Sequence, residues 1–254
     1  MRSWAANRRP REQVIELGLA GKTAIVCGSS SSLGLAIAEL LAAEQVNVVM
    51  AAHRQDVLER EARRLGGWPV AVDLTLADGS KHLVAQAVQA FGVDILVFNG
   101  GGPPPGTALD VTAHSAQATV QLVLLPLIRL VGLAPPHLRS SRSGRILAAS
   151  SIGIREPTPN IALSNSIRPG MHGYLKTLSN ELAPEGITVN ILAAGRLATA
   201  RMSQIFPDGV PPEQLTEIPM GRSRTRSSLP TWPAFWHRIA PHTSPVRQST
   251  STVV

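Results

Sequence analysis

From Lys22 to Val189 the chain alternates short, continuous apolar runs with stretches of helical length, and no other feature narrows the fold as much. The apolar runs are Thr23–Cys27, Asn47–Ala52, Pro69–Val72, Asp94–Asn99, Arg145–Ser150 and Thr188–Leu192. Helical patterns lie between them over Leu35–Glu44, Val57–Leu65 and Ser80–Phe91, with longer ones over Ala116–Leu133 and Ser164–Leu182. Strands that are apolar throughout must be buried on both faces, and the intervening helices supply the cover. The pattern predicts an α/β fold, one doubly wound parallel sheet with helices on both faces. A length of 254 residues suits a single large domain of this kind.

Charge and composition exclude several functions. The net charge of +7 suggests a polyanion partner until it is located along the chain. Residues 1–13 carry +3 and residues 222–254 carry +5, whereas residues 14–221 carry −1. A neutral body with basic tails, lacking a reading helix or a stacking platform, predicts no specific nucleic-acid function. One cysteine, Cys27, excludes an internal disulfide framework and fits a reducing compartment. The seven histidines show no ligand spacing, so no metal is expected. The most apolar stretch, Val120–Pro136, is broken by Gln121, Pro126, Arg129 and Pro135, so no membrane span is expected. The basic N-terminus lacks the apolar run of a signal peptide, which leaves the cytoplasm as the expected location.

The first strand runs into Gly28-Ser-Ser-Ser-Ser32-Leu33-Gly34, and a helix follows. Small residues let backbone approach a pyrophosphate, and a helix N-terminus offers free N–H groups and the positive end of a dipole. The strand–loop–helix setting makes this loop a candidate phosphate cradle.

The segment "AIVCGSSSSLGLAIAELLA" resembles the glycine-rich turn of the short-chain dehydrogenase/reductase superfamily, Thr-Gly-x3-Gly-x-Gly. Gly28 and Gly34 match the outer glycines, Ser32 replaces the middle one and Cys27 the Thr. Further matches follow in order: "VAVDLT" around Asp73, Phe98-Asn99-Gly100-Gly101, "GRILAASS" and "ELAPEGITVNILAAG". The resemblance covers about Leu17 to Arg222 and implies a Rossmann-type domain over 14–222, between a basic extension (1–13) and a separate tail (223–254). It implies NADP(H) as cofactor, with NAD(H) as the alternative. The implied binding residues are Gly28, Ser30, Ser32, Leu33, Gly34, Arg54, Asp73, Leu74, Asn99, Gly100, Gly101, Arg168 and Thr199. Arg54, just past the second strand, sits where NADP-preferring members carry a cation for the 2′-phosphate. If the middle position of the loop requires a positive φ, Ser32 is strained there.

The family's catalytic set is Ser, Tyr and Lys, and here the chain departs from it. Ser151 matches the Ser; Ser164 stands at the Tyr position and Arg168 at the Lys position, and the supporting helix Asn falls near Leu124. Ser164 and Arg168 share a helix face as i and i+4. Arg168 can hold ribose hydroxyls but cannot release a proton, and a serine hydroxyl is a far weaker acid than tyrosine. Tyr174 lies ten residues past Ser164, about 280° around the helix, and does not stand in for the missing Tyr. The segments "NGGGPPPG" and "ALSNSIR" resemble a branch, 3-oxoacyl-acyl-carrier-protein reductase-like, that lacks Tyr-x3-Lys. The implied function is NADP(H)-dependent reduction of a carbonyl, or oxidation of an alcohol, on a small or acyl-chain substrate. The alternative is a cofactor-binding protein or scaffold without turnover.

After "EIPMGR" the sequence loses periodicity and becomes rich in Arg, Ser, Thr, Pro and Trp. Read from the third base of each codon, His242 to Val254 permits Tyr-Ile-Thr-Gly-Ser-Ser-Ile-Asn-Val-Asp-Gly-Gly, the ending expected of the family. Residues from about Ser223 therefore read as out of frame, with the last strand missing and the tail disordered. Loss of that strand and helix removes one family interface, so a homodimer through the two long helices is expected rather than a tetramer. Genomic sequencing across codons 222–254 should reveal a frame shift relative to the family; an uninterrupted frame encoding this tail, with the tail ordered, refutes that origin.

Overall fold

The computed structural model describes residues 18–215, apart from 142, 196, 197, 207, 213 and 214, together with 252 and 253. Among these, every strand pairing is parallel, and the strand order is β3-β2-β1-β4-β5-β6-β7. The strands are β1 (Thr23–Cys27), β2 (Asn47–Ala52), β3 (Trp68–Ala71), β4 (Ile95–Phe98), β5 (Arg145–Ser151), β6 (Thr188–Ala194) and β7 (Thr252–Val253). The order reverses between β1 and β4, which opens a crevice beyond their carboxyl ends. The predicted doubly wound sheet is therefore present.

Successive residues of the inner strands feed two separate cores. Ala24, Val26, Val48, Met50, Ile95 and Val97 join the core beneath α1 (Ser32–Ala43) and α2 (Gln55–Leu65). Ile25, Cys27, Val49, Leu96 and Phe98 face the opposite core, shared with α3 (Gly79–Ala90), α5 (Leu125–Leu133) and α7 (Ala162–Leu182). This is the period-2 alternation of a strand buried on both sides. α1 turns nearly all of its length inward, from Gly34 to Ala38 and at Leu40 and Leu41. α2 buries only Leu58 and Ala62 and carries its charges outward. At the opposite edge of the sheet Asp94 accepts from the Thr23 N–H at 2.7 Å and pairs with Lys22 at 3.3 Å, which sets the β1–β4 register.

The first long helix is a composite of α4 (Ala113–Thr119), a π turn (Val120–Leu124) and α5. Pro126 supplies the reason: it has no N–H to give Leu122 O, and the ladder shifts so that Leu125 N donates to Val120 O. Together the 21 residues Ala113–Leu133 are long and apolar enough to cross a membrane by length and composition only, a test that core helices also pass. In this fold Thr119, Val123, Leu127, Leu130 and Val131 are buried in the core shared with α3 and α7. The chain also forms α6 (Pro135–Ser140) and α8 (Ala200–Ile205), neither of them legible in the sequence.

The last strand was expected to be missing and the β6 edge uncovered. Instead Thr252 and Val253 pair in parallel with Leu192 and Ala193, and Ile191–Ala194 are buried. Two residues with strand-type preference suffice to continue the ladder at its most buried point. Apart from these two, the expected tail disorder lies outside the described residues, as does the basic extension at 1–13.

Cys27 closes β1 with no solvent exposure, and burial pushes its thiol up to about 12 from 9.0, against a weaker opposing effect of the Asn99 backbone. A raised thiol pKa favours the fold fully below the unfolded value, and that advantage is lost as pH rises from about 9 towards 12. Cys27 should resist a disulfide reagent such as Ellman's at pH 8 in the native protein and react completely in guanidinium. Rapid native reaction would show that the β1 end opens readily.

Candidate functional site

The residues expected to bind cofactor gather at the carboxyl edge of β1, β2 and β4, on the crevice. The turn after β1 is held by a close backbone packing. Gly28 has φ +63°, and a Cβ there would fall 2.6 Å from Asn99 O; a Cβ on Gly34 would drive into Gly28 O. Asn99 Nδ2 donates to Gly28 O at 3.5 Å, joining the end of β4 to the loop. Ser29 is fully buried and anchors the loop to β2, its N–H donating to Ala51 O at 3.2 Å.

Ser32, at the middle-glycine position, has φ +50°. The loop thus does require a left-handed residue there, and a serine occupies it under strain. Ser31, the N-cap of α1, makes no side-chain capping bond, so the first-turn amides of this helix face the crevice without a side-chain partner. Arg54, exposed at the N-cap of α2, reaches back over the loop: its Nη2 donates to Ser30 Oγ at 3.5 Å and to Ser31 Oγ at 3.3 Å. A cation and an uncapped helix start therefore meet at one place, as an anionic ligand requires.

Other predicted positions behave differently. Leu33 and Leu74 are half-buried packing residues against the two cores. Asp73 caps its own turn, accepting from Thr75 N at 2.9 Å and Thr75 Oγ1 at 2.7 Å; these bonds, and His53 nearby, hold its carboxyl below the usual range. Gly100 and Gly101 lie against Phe98 and Leu122, where a Cβ would come within 2.9 Å of either side chain. Thr199 is the N-cap of α8.

The catalytic candidates meet on the β5 side of the crevice. Ser151 ends β5, and its Oγ accepts from Gly153 N at 3.3 Å. Ser164 is buried in the first turn of α7, and Arg168 Nε donates to its Oγ at 3.2 Å, as the i and i+4 spacing predicts. Arg168 also donates through Nη1 to Ala149 O and through Nη2 to Gly101 O, each at 3.4 Å. One guanidinium thereby joins α7, β5 and the loop after β4. Burial, and secondarily Arg201, push its pKa down to about 10. Tyr174 packs against the core instead, where burial and then Glu181 raise its pKa.

Two participants were not assigned to the site from sequence. Arg201 of α8 donates through Nη2 to Pro103 O, and its Nε lies 2.6 Å from where a Cβ on Gly102 would be. Asn165 clamps the loop after β5, with Nδ2 donating to Thr158 O at 2.7 Å and Oδ1 accepting from Thr158 N at 3.3 Å. From sequence, Arg201 is one of two arginines, with Arg196, that could anchor a charge in the segment after β6; what Arg201 touches depends on how α8 folds back.

A doubly wound sheet with a glycine-bounded turn at its switch point and a Ser/Ser/Arg cluster beside it defines the architectural class. The family described as short chain dehydrogenase matches residues 22–209. "Dehydrogenase/reductase SDR family member 4" of Sus scrofa is 31% identical over 206 residues, 78% of this chain and 74% of that protein. The L-sorbose reductase of Gluconobacter frateurii, solved with NADPH and L-sorbose, superposes with a TM-score of 0.85 at 26% identity, covering 94% of this chain and 97% of that one. The 3-ketoacyl-(acyl-carrier-protein) reductase of Brucella melitensis, solved with NADH, gives 0.83 at 26% identity, covering 93% and 97%. The chain belongs to the short-chain dehydrogenase family.

Replacing Ser32 by glycine should relieve the left-handed strain and stabilise the protein by about 1 kcal/mol, read as a higher urea midpoint at unchanged slope. Gly34→Ala should cost about 3 kcal/mol or more, because backbone rather than a movable side chain blocks the methyl. Equal, small effects at both positions would show that the loop is not held as described.

Proposed function

We propose that this chain is an NADP(H)-linked oxidoreductase that reduces a carbonyl or oxidises an alcohol on a small or acyl-chain substrate. The observation that carries the reading is the joint placement of Arg54 and the uncapped start of α1 over the Gly28–Gly34 loop. The first-turn amides would take the pyrophosphate, and Arg54 the 2′-phosphate that distinguishes NADP from NAD. The solved relatives with NADPH or NADH support a nicotinamide cofactor, and the 3-ketoacyl reductase likeness makes a 3-oxo compound the first substrate class to test.

The bound cofactor supplies or accepts the hydride, and the chain's residues manage the substrate oxygen. Ser151 Oγ, held by Gly153 N, orients that oxygen. Ser164 sits at the proton-exchanging position, with Arg168 Nε on its oxygen. A cation donating to a hydroxyl oxygen stabilises the oxyanion and lowers the hydroxyl pKa, the service lysine gives tyrosine elsewhere in the family. Serine starts from a far higher value, so this arrangement transfers a proton slowly. Arg168 holds its charge and positions Ser164 and the ribose hydroxyls rather than carrying a proton. The same pair supports a second reading, a cofactor-binding protein without turnover, since neither Ser164 nor Arg168 titrates near neutrality.

A titration with NADPH, following energy transfer from tryptophan to nicotinamide, should saturate in the micromolar range, about −8 kcal/mol. Arg54→Ala should weaken NADPH by roughly tenfold or more, the worth of a charge-assisted bond, and leave NADH unchanged. Folded protein that binds neither cofactor refutes the proposal; saturable binding without hydride transfer to any 3-oxo compound decides for the second reading. Where turnover is found, kcat should be flat from about pH 6 to 9, because neither Ser164 nor Arg168 changes protonation in that range. A bell centred near neutrality would require a different proton donor.

A further inference from the structure

We infer that Arg168 and Arg201 together form the binding site for an acid group on the substrate, so that the preferred substrate is a carbonyl compound or alcohol bearing a free carboxylate or phosphate. The inference rests on the oxidoreductase reading only in calling the ligand a substrate. Both guanidiniums close on Gly101–Pro103 of the loop after β4. Arg168 Nη2 donates to Gly101 O at 3.4 Å, and Arg201 Nη2 donates to Pro103 O. Between them Gly102 presents bare backbone, and a Cβ there would stand 2.6 Å from Arg201 Nε and 2.8 Å from its Cζ. The side chain can lie flat on the loop only because residue 102 is glycine.

Neither arginine has a carboxylate partner among the described residues. Each is only half-exposed, and burial lowers the pKa of both, with Arg201 also lowering that of Arg168. Two desolvated like charges repel unless an anion lies between them. Carbonyl oxygens take some of their protons but neutralise neither charge. The bonds to Ser164 Oγ, Ala149 O, Gly101 O, Pro103 O and Gln204 Oε1 also leave N–H groups on both forks unspent. A planar carboxylate or a phosphate matches such donors.

Strand order separates this pair from the cofactor's own phosphates. Arg54 and the start of α1 serve the β2–β1 side of the crevice, whereas Arg168 and Arg201 serve the β4–β5 side, beside Ser151 and Ser164. An acid group held there lies on the β5 side of the crevice, the side that carries Ser151. The substrate is thus distinguished from a neutral ketone of the same size.

The test compares acetoacetate with its uncharged methyl ester, binding read by saturation-transfer NMR on the full chain with and without NADPH, so that no turnover is needed. NADPH affinity is read separately by tryptophan energy transfer. Acetoacetate should bind about tenfold or more tightly than the ester. That preference should collapse in Arg201→Gln, recover in part in Arg201→Lys, and shrink in Gly102→Ala, which displaces only the flexible end of Arg201. Equal binding of acid and ester overturns the inference, as does a preference that survives both Arg201→Gln and Gly102→Ala. If Arg201→Gln weakens NADPH while leaving acetoacetate unaffected, the pair serves the cofactor's phosphates and the inference falls. Failure of NADPH to bind, with the acid preference intact, counts against the oxidoreductase reading alone.

Discussion

The packing of Gly28, Gly34 and Asn99 fixes the geometry of everything around the crevice. β1, α1 and the end of β4 converge there closely enough that no side chain fits on either glycine. This contact brings the start of α1 down onto the strand ends. It places the uncapped amides of that helix beside Arg54 and sets Asn99, with the glycines that follow, at the mouth of the sheet. Interiors packed to crystalline density do not absorb an extra methyl where the obstacle is backbone. The same closeness forces Ser32 into the left-handed region, a strain accepted where a glycine is usual.

Arg168 plays the corresponding part on the other side of the crevice. Its three bonds, to Ser164, Ala149 and Gly101, connect a helix, a strand and a loop that are far apart in sequence. Replacement of a lysine–tyrosine pair by an arginine–serine pair keeps a cation on a hydroxyl oxygen and shortens the reach of that hydroxyl. In the proposed reaction the chemistry becomes one of orientation and charge rather than of proton exchange near neutral pH. With Arg201 on the same loop, the site acquires a second positive charge.

Much of this was legible in the residues. Strands β1 to β6 fall within a residue or two of their apolar runs, and for the five inner ones burial on both faces leaves an uninterrupted signature. The positive φ at residue 32 was foreseeable from its place in the glycine-rich turn, and the Ser164–Arg168 bond from their spacing. The π turn was not read, although Pro126 was its cause; a missing N–H shifts a helical ladder only when the surrounding packing keeps the helix whole. α8 was not read because six residues carry too little periodicity. The pairing of Thr252 and Val253 with β6 could not be read from a segment without pattern.

The sequence by itself determined the sheet, its parallel sense and the identity of the residues at its carboxyl edge, since hydrophobic period and turn chemistry are local properties of the chain. Tertiary structure alone decided which of those residues meet. Arg54 over Ser30 and Ser31, Arg168 against Ala149 and Gly101, and Arg201 on Gly102 join positions separated by 19 to 99 residues. Such meetings depend on strand order and on where a glycine lets a guanidinium lie against backbone, and no local pattern encodes either.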